Sequence, residues 1–175
     1  MMETLSFFVP GLPQTAGSKR AFPIARKGVN GERIYTGKNI VVDANPKTKD
    51  WKARIAHQAE LVMDLPVNRQ LGLWSGALAA RFTFHLPRIG GHYRSNGELK
   101  PGVPARPTVR PDVLKLTRAA EDALTGVVWF DDSQIVLEVL EKRYSDKPGL
   151  LVEVFKLNNL VDKKPEAMEL KLEGL

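Results

Sequence analysis

The sequence predicts an α+β domain: a small mixed β-sheet with two main helices. Three observations predict it. The length of 175 residues fits one domain and leaves little room for a second. The hydrophobic fraction of 43% can build an ordinary core. Segments with two-residue alternation and segments with helical spacing follow one another in the order β, α, β, α, β, β.

Leu5 to Val9 reads as the first strand, closed by Pro10-Gly11. The next segment, QTAGSKRAFPIARKGVNGERIY, is rich in glycine and basic residues. Lys19, Arg20, Arg26 and Lys27 make it a positive loop, and it reads equally as a solvated hairpin-like loop or as a contact for a polyanion. Tyr35 to Asp43 holds a short strand. Asn45-Pro46 opens a helix, because Asn suits a cap and Pro a first turn. Trp51, Ile55, Ala59 and Val62 then recur at helical spacing to about Met63, opposite a face carrying Lys49, Lys52 and Arg54.

Ala77 to Leu86 alternates as a strand, with Leu78, Ala80, Phe82 and Phe84 on one side. From Arg88 to Pro111, four prolines and four glycines forbid regular structure. Arg88, Arg94, Lys100, Arg106 and Arg110 oppose one acid there, Glu98, so residues 88–110 read as a flexible basic loop that orders on its ligand. Residues 112–125 form the second helix, capped by Asp112 and ended at Thr125-Gly126. Gln134 to Arg143 and Leu150 to Leu157 are strands, and Lys147-Pro148-Gly149 between them predicts a hairpin. Residues 1–157 therefore make the domain, and 158–175 a peripheral tail.

Composition excludes several chemistries. There is no cysteine, so disulfides, thiolate catalysis and Cys-ligated zinc are ruled out. His57, His85 and His92 offer no helical zinc spacing. No apolar run reaches membrane-spanning length and no secretory leader pattern is visible, so a cytoplasmic location is expected. The net charge of +6 and pI near 9.6 favour phosphate polymers as partners.

The chemistry-bearing region is acidic: Asp112 at a helix start, Glu121 and Asp122 within that helix, Asp131 and Asp132 after it. Carboxylates from separate elements, converging, would hold a hard divalent cation for phosphodiester hydrolysis. On the helix, Leu114, Arg118 and Glu121 share one strip, and Leu116, Ala120, Ala123 and Leu124 form the buried face. Taken singly, Asp112 also reads as an N-cap and Asp131-Asp132 as a turn.

The stretch RPDVLKLTRAAEDALTGVVWFDDSQIVLEVLEKRYSDKPGLLVEV resembles the signature region of RusA-type crossover-junction endodeoxyribonucleases. That family reads Pro-Asp-x-Asp-Asn-Leu, a basic residue, Asp-Ala-Leu, then Asp-Asp-x-Gln-Ile/Val and a basic strand ending near Pro-Gly. The opening FFVPGLPQTAGSKRAF is similar as well. The resemblance implies a homodimer of RusA-like fold that binds four-way (Holliday) junctions in recombination and repair. It also implies symmetric nicking of two strands with Mg²⁺ or Mn²⁺, and a phage or prophage origin. Position by position, it implies catalytic and metal-holding roles for Asp112 and Asp132, metal ligation by Asp131 and a phosphate contact by Arg118; to these the residues themselves add Lys115 as a catalytic phosphate contact and Glu121 as a metal ligand. DNA contacts are expected from Lys19, Arg20, Arg94, Arg110, Lys142 and Arg143. The family's second motif aspartate falls on Leu114, which cannot ligate a metal. Two readings follow: Glu121 supplies the missing carboxylate by reaching back along the helix, or the protein binds branched DNA with weak or lost cleavage.

Overall fold

The structure, a computed structural model, describes residues 3–17, 19–43, 45–70 and 72–157. The tail expected beyond residue 157 lies outside them. The elements are β1 (Thr4–Pro10), β2 (Lys19–Lys27), β3 (Arg33–Asp43), α1 (Lys47–Met63), the short α2 (Pro66–Arg69), β4 (Leu78–Leu86), α3 (Val113–Leu124), β5 (Ile135–Tyr144) and β6 (Gly149–Lys156).

Four strands form one sheet in the order β1-β6-β4-β5. β4 and β5 run parallel, and the other two pairings are antiparallel, so the sheet is mixed as expected. The predicted hairpin of β5 with β6 does not form, because β4 lies between them. The reason is the composition of β4. Leu78, Ala80, Phe82 and Phe84 join the main core, and Ala79 and Thr83 on the opposite face are buried too. A strand buried along most of its length on both faces takes an interior place, with neighbours on both edges. The chain after β5 therefore steps over the end of β4, where Ser145 N–H donates to Leu86 O at 2.9 Å. Gly149 starts β6 where a Cβ would lie 2.6 Å from Val9 O, so no side chain fits.

Two helices cover the sheet. α1 buries Trp51, Ile55 and Ala59 at four-residue intervals, and Asn45 Oδ1 accepts from the Lys47 N–H at 3.1 Å at its start. α3 buries Leu116, Ala119, Ala120, Ala123 and Leu124. Three alanines on that stripe let its axis approach α1 closely. Gly126, at φ +81°, ends α3 in a conformation that favours glycine.

The basic hairpin-like segment is longer and more regular than expected, and β3 takes in the strand expected from Tyr35 to Asp43. β2 and β3 pair as a separate antiparallel sheet of their own. The β-branched and aromatic residues in Phe22-Pro23-Ile24 and Ile34-Tyr35-Thr36 favour extended backbone, and the charges interspersed among them obscured it. Residues 88–111 contain only the 3₁₀ turn Gly90–His92 as regular structure. Their backbone is held to β5: Lys142 Nζ donates to Val109 O and Pro111 O, each at 3.0 Å. Arg88 lies 4.3 Å above the Tyr144 ring and donates to Pro104 O at 2.9 Å.

Candidate functional site

The buried stripe of α3 turns Leu114, Arg118 and Asp122 outward and leaves Glu121 half-buried against β5. β5 runs opposite to α3, since Lys142 meets Pro111 near the start of the helix and Glu138 meets Glu121 near its end. The carboxyls of Glu121 and Glu138 share a hydrogen bond, which requires a proton between them. Burial pushes the Glu121 carboxyl up to about 7, aided by the hydrogen bond with Glu138 and by the charges of Glu138, Asp132 and Asp122. Near neutral pH Glu121 therefore lies close to its titration point. Asp122 is engaged elsewhere: its Oδ2 lies 2.5 Å from Lys52 Nζ, tying α3 to α1.

Asp131 and Asp132 sit in a turn built around Gln134. The Asp131 carboxylate accepts from Ser133 N–H at 2.9 Å, and the Ser133 donors hold it below the usual carboxylate range. Gln134 Oε1 accepts from the N–H groups of Phe130 and Asp131 at 2.9 and 3.0 Å. Its Nε2 donates to Trp74 O at 3.1 Å and Gly76 O at 3.2 Å, anchoring the turn to the segment before β4. Asp131 is thus a capping residue. Asp132, exposed beside it, contributes charge to the Glu121 pair.

Asp112 lies at the other end of α3. It is the N-cap residue, yet its side chain makes no cap hydrogen bond and instead sits 3.2 Å from Lys115 Nζ. Nine residues of helical rise separate it from Glu121 by about 13 Å. Beside this end lies a cavity of about 330 Å³, lined by Leu12, Ile89, Val109, Arg110 and Tyr144 among others.

This geometry brings some of the expected site residues together and keeps others apart. Asp112, Asp131, Asp132 and Glu121 do not form one ligand set, and among the described residues no three His, Asp or Glu side chains are grouped to hold a metal ion. Glu121 turns toward β5 and Glu138, not back toward Asp112, because burial against the strand fixes its direction. Of the expected DNA contacts, Lys142 is committed to backbone carbonyls, Arg143 is paired with Glu141, and Arg94 Nη1 lies 3.8 Å from Glu98. Arg110 lines the cavity, and Lys19 and Arg20 open β2. Sequence reasoning missed Glu138 and the organising role of Gln134. Gln134 stood in the Asp-Asp-x-Gln pattern; Glu138 carried no signal until β5 was placed beside α3.

A hard divalent cation fits the Glu121–Glu138 pair in part. Mg²⁺ is commonly held by one or two carboxylates, with waters and substrate phosphate oxygens completing its shell. A half-buried carboxyl raised by like charges is the electrostatic environment that a cation relieves.

A family model described as endodeoxyribonuclease RusA matches residues 23–155. The chain is also 26% identical over 156 residues to the uncharacterized protein YqaN of Bacillus subtilis (strain 168), covering 86% of this chain and 95% of that protein. The matched segment takes in α3, β5 and every carboxylate described above.

Proposed function

Because the chain belongs to the RusA endodeoxyribonuclease family, we propose that it resolves four-way DNA junctions by divalent-metal-dependent hydrolysis of phosphodiesters, with Glu121, Glu138 and Asp132 at its centre. One observation carries this reading: the half-buried Glu121 carboxyl on α3 faces the exposed Glu138 of β5, with Asp132 acting on it, and is raised to about 7. Glu121 and Glu138 would hold Mg²⁺ or Mn²⁺. When bound, the cation lowers the pKa of a water and offsets charge on the phosphate. Arg118, exposed about one helical turn before Glu121, aligns a phosphate oxygen. As a guanidinium it contributes charge and geometry and exchanges no proton near neutral pH. Asp132 orients the attacking water and takes its proton. Lys115 and Asp112, paired at the helix start, contact the backbone on the flanking side.

A homodimer agrees with a nearly two-fold substrate. Exposed Leu114 on α3, Phe130 in the connection after it, and Val136 and Leu137 on the edge strand β5 offer apolar surface for it. No helix among the described residues is long and apolar enough to cross a membrane, and a cytoplasmic site of action goes with this reading.

The test is nicking of a four-way junction with Mg²⁺ or Mn²⁺, with binding measured separately in Ca²⁺. Wild type should nick two strands symmetrically, and Asp132→Asn and Glu121→Gln should bind without nicking. Cleavage undiminished in both variants would remove these residues from the chemistry. A second reading, branched-DNA binding with weak or lost cleavage, is favoured by Leu114. That exposed apolar residue stands where the resembling motif has an aspartate. Junction binding by wild type with no nicking under either metal would select it.

A further inference from the structure

The ribbon of β2 and β3 stands apart from the body. Every residue from 21 to 41 except Gly28 is exposed. Its strands form a sheet of their own and pack mainly on each other. An isolated two-stranded ribbon is marginal in water, so strands of nine and eleven residues gain little from the rest of the chain. The ribbon also concentrates charge. Residues 19–43 hold six Lys and Arg (Lys19, Arg20, Arg26, Lys27, Arg33, Lys38) against Glu32 and Asp43, a net of +4 out of the chain's +6. Lys27 stands directly across from Arg33. Like charges opposed in this way destabilise a ribbon unless an anion lies against it.

We propose that the β2–β3 ribbon lies in the major groove of one duplex arm of the DNA substrate, an inference that rests on the nuclease reading above. The major groove, about 12 Å wide, admits a two-stranded ribbon. Nine to eleven extended residues reach about 30–35 Å, close to one turn of B-DNA. Phe22 and Ile40, opposite each other in the register, and exposed Tyr35 supply apolar contacts of the kind that thymine methyl groups accept. A second copy of the chain is the rival occupant of this apolar surface. Two ribbons of net +4 repel each other, whereas DNA attracts both.

The experiment uses the full chain, a four-way junction and Ca²⁺, with affinity measured across a range of salt concentrations. The variant carries Arg26→Gln, Lys27→Gln, Arg33→Gln and Lys38→Gln together, all exposed positions. Each lost phosphate contact reduces the slope of log K against log salt by about 0.9, so the slope should fall by about 3 to 4 and affinity at about 0.15 M salt by about 10³-fold. Guanine N7 atoms on one arm should be shielded from methylation by wild type and exposed with the variant. An unchanged slope overturns the proposal, as does shielding of adenine N3 in place of guanine N7. A variant that sediments as a smaller assembly with its slope intact also overturns it and makes the ribbon a subunit contact. If wild type nicks junctions while the slope stays unchanged, only the ribbon assignment falls. If wild type binds no DNA, the nuclease reading falls with it.

Discussion

Replacing Glu121 with glutamine should stabilise the fold while abolishing cleavage, and the stabilisation should depend on pH. The Glu121 carboxyl is raised from 4.5 to about 7, chiefly by burial and by Glu138, so ionising it in the folded state costs about 3 kcal/mol before screening. Roughly half of the group faces water, and solvent screening lowers this to about 1–2 kcal/mol. The sign follows from proton binding. Between about pH 4.5 and 7 the folded chain binds more protons here than the unfolded chain, so wild-type stability falls as pH rises through that window. Glutamine keeps the shape and the hydrogen bond to Glu138 without the charge. Thermal unfolding should show Glu121→Gln raised by roughly 2–6 °C near pH 8, and by almost nothing near pH 4, below the unfolded value of 4.5, where the group is protonated in the folded and unfolded chain alike. Added Mg²⁺ should raise the wild-type midpoint near pH 8 and that of the variant much less. An equal difference at both pH values, or a less stable variant near pH 8, would refute the coupled-carboxylate account.

Three further outcomes are expected. Glu138→Gln should reduce metal-dependent nicking about 10²-fold or more while junction affinity in Ca²⁺ stays within about two-fold; parallel kinetics and gel shifts check this. Gln134→Ala cuts the bonds that hold the Asp131–Asp132 turn to the Trp74–Gly76 segment. It should cost about 2 kcal/mol in denaturant unfolding and lower nicking as well, since Asp132 loses its support. Leu116→Ala, at a position with no exposure, should cost about 2–5 kcal/mol by the same measurement without altering the metal dependence of the remaining activity.

Much of this protein is legible in its residues. The periodicity of α1 and α3, the apolar run of β4, the turn at Asp131–Gln134 and the lack of regular structure from Arg88 to Pro111 are local properties, set by spacing, capping and the prolines and glycines of the chain. The Asp-Asp-x-Gln pattern and the charge balance likewise carried the nuclease family and its polyanionic partner without coordinates.

Tertiary structure decided which of these elements meet. Strand order depends on which strand is buried on both faces, and β4 displaced the expected β5–β6 hairpin by occupying the middle of the sheet. That placement leaves β5 at the sheet edge beside α3, and it alone brings Glu138 to Glu121 while helical rise keeps Asp112 at the far end. Residues seventeen positions apart, on a helix and a strand, share no sequence period. The raised Glu121 carboxyl arises from burial and from the proximity of Glu138, which a linear chain does not possess until it folds.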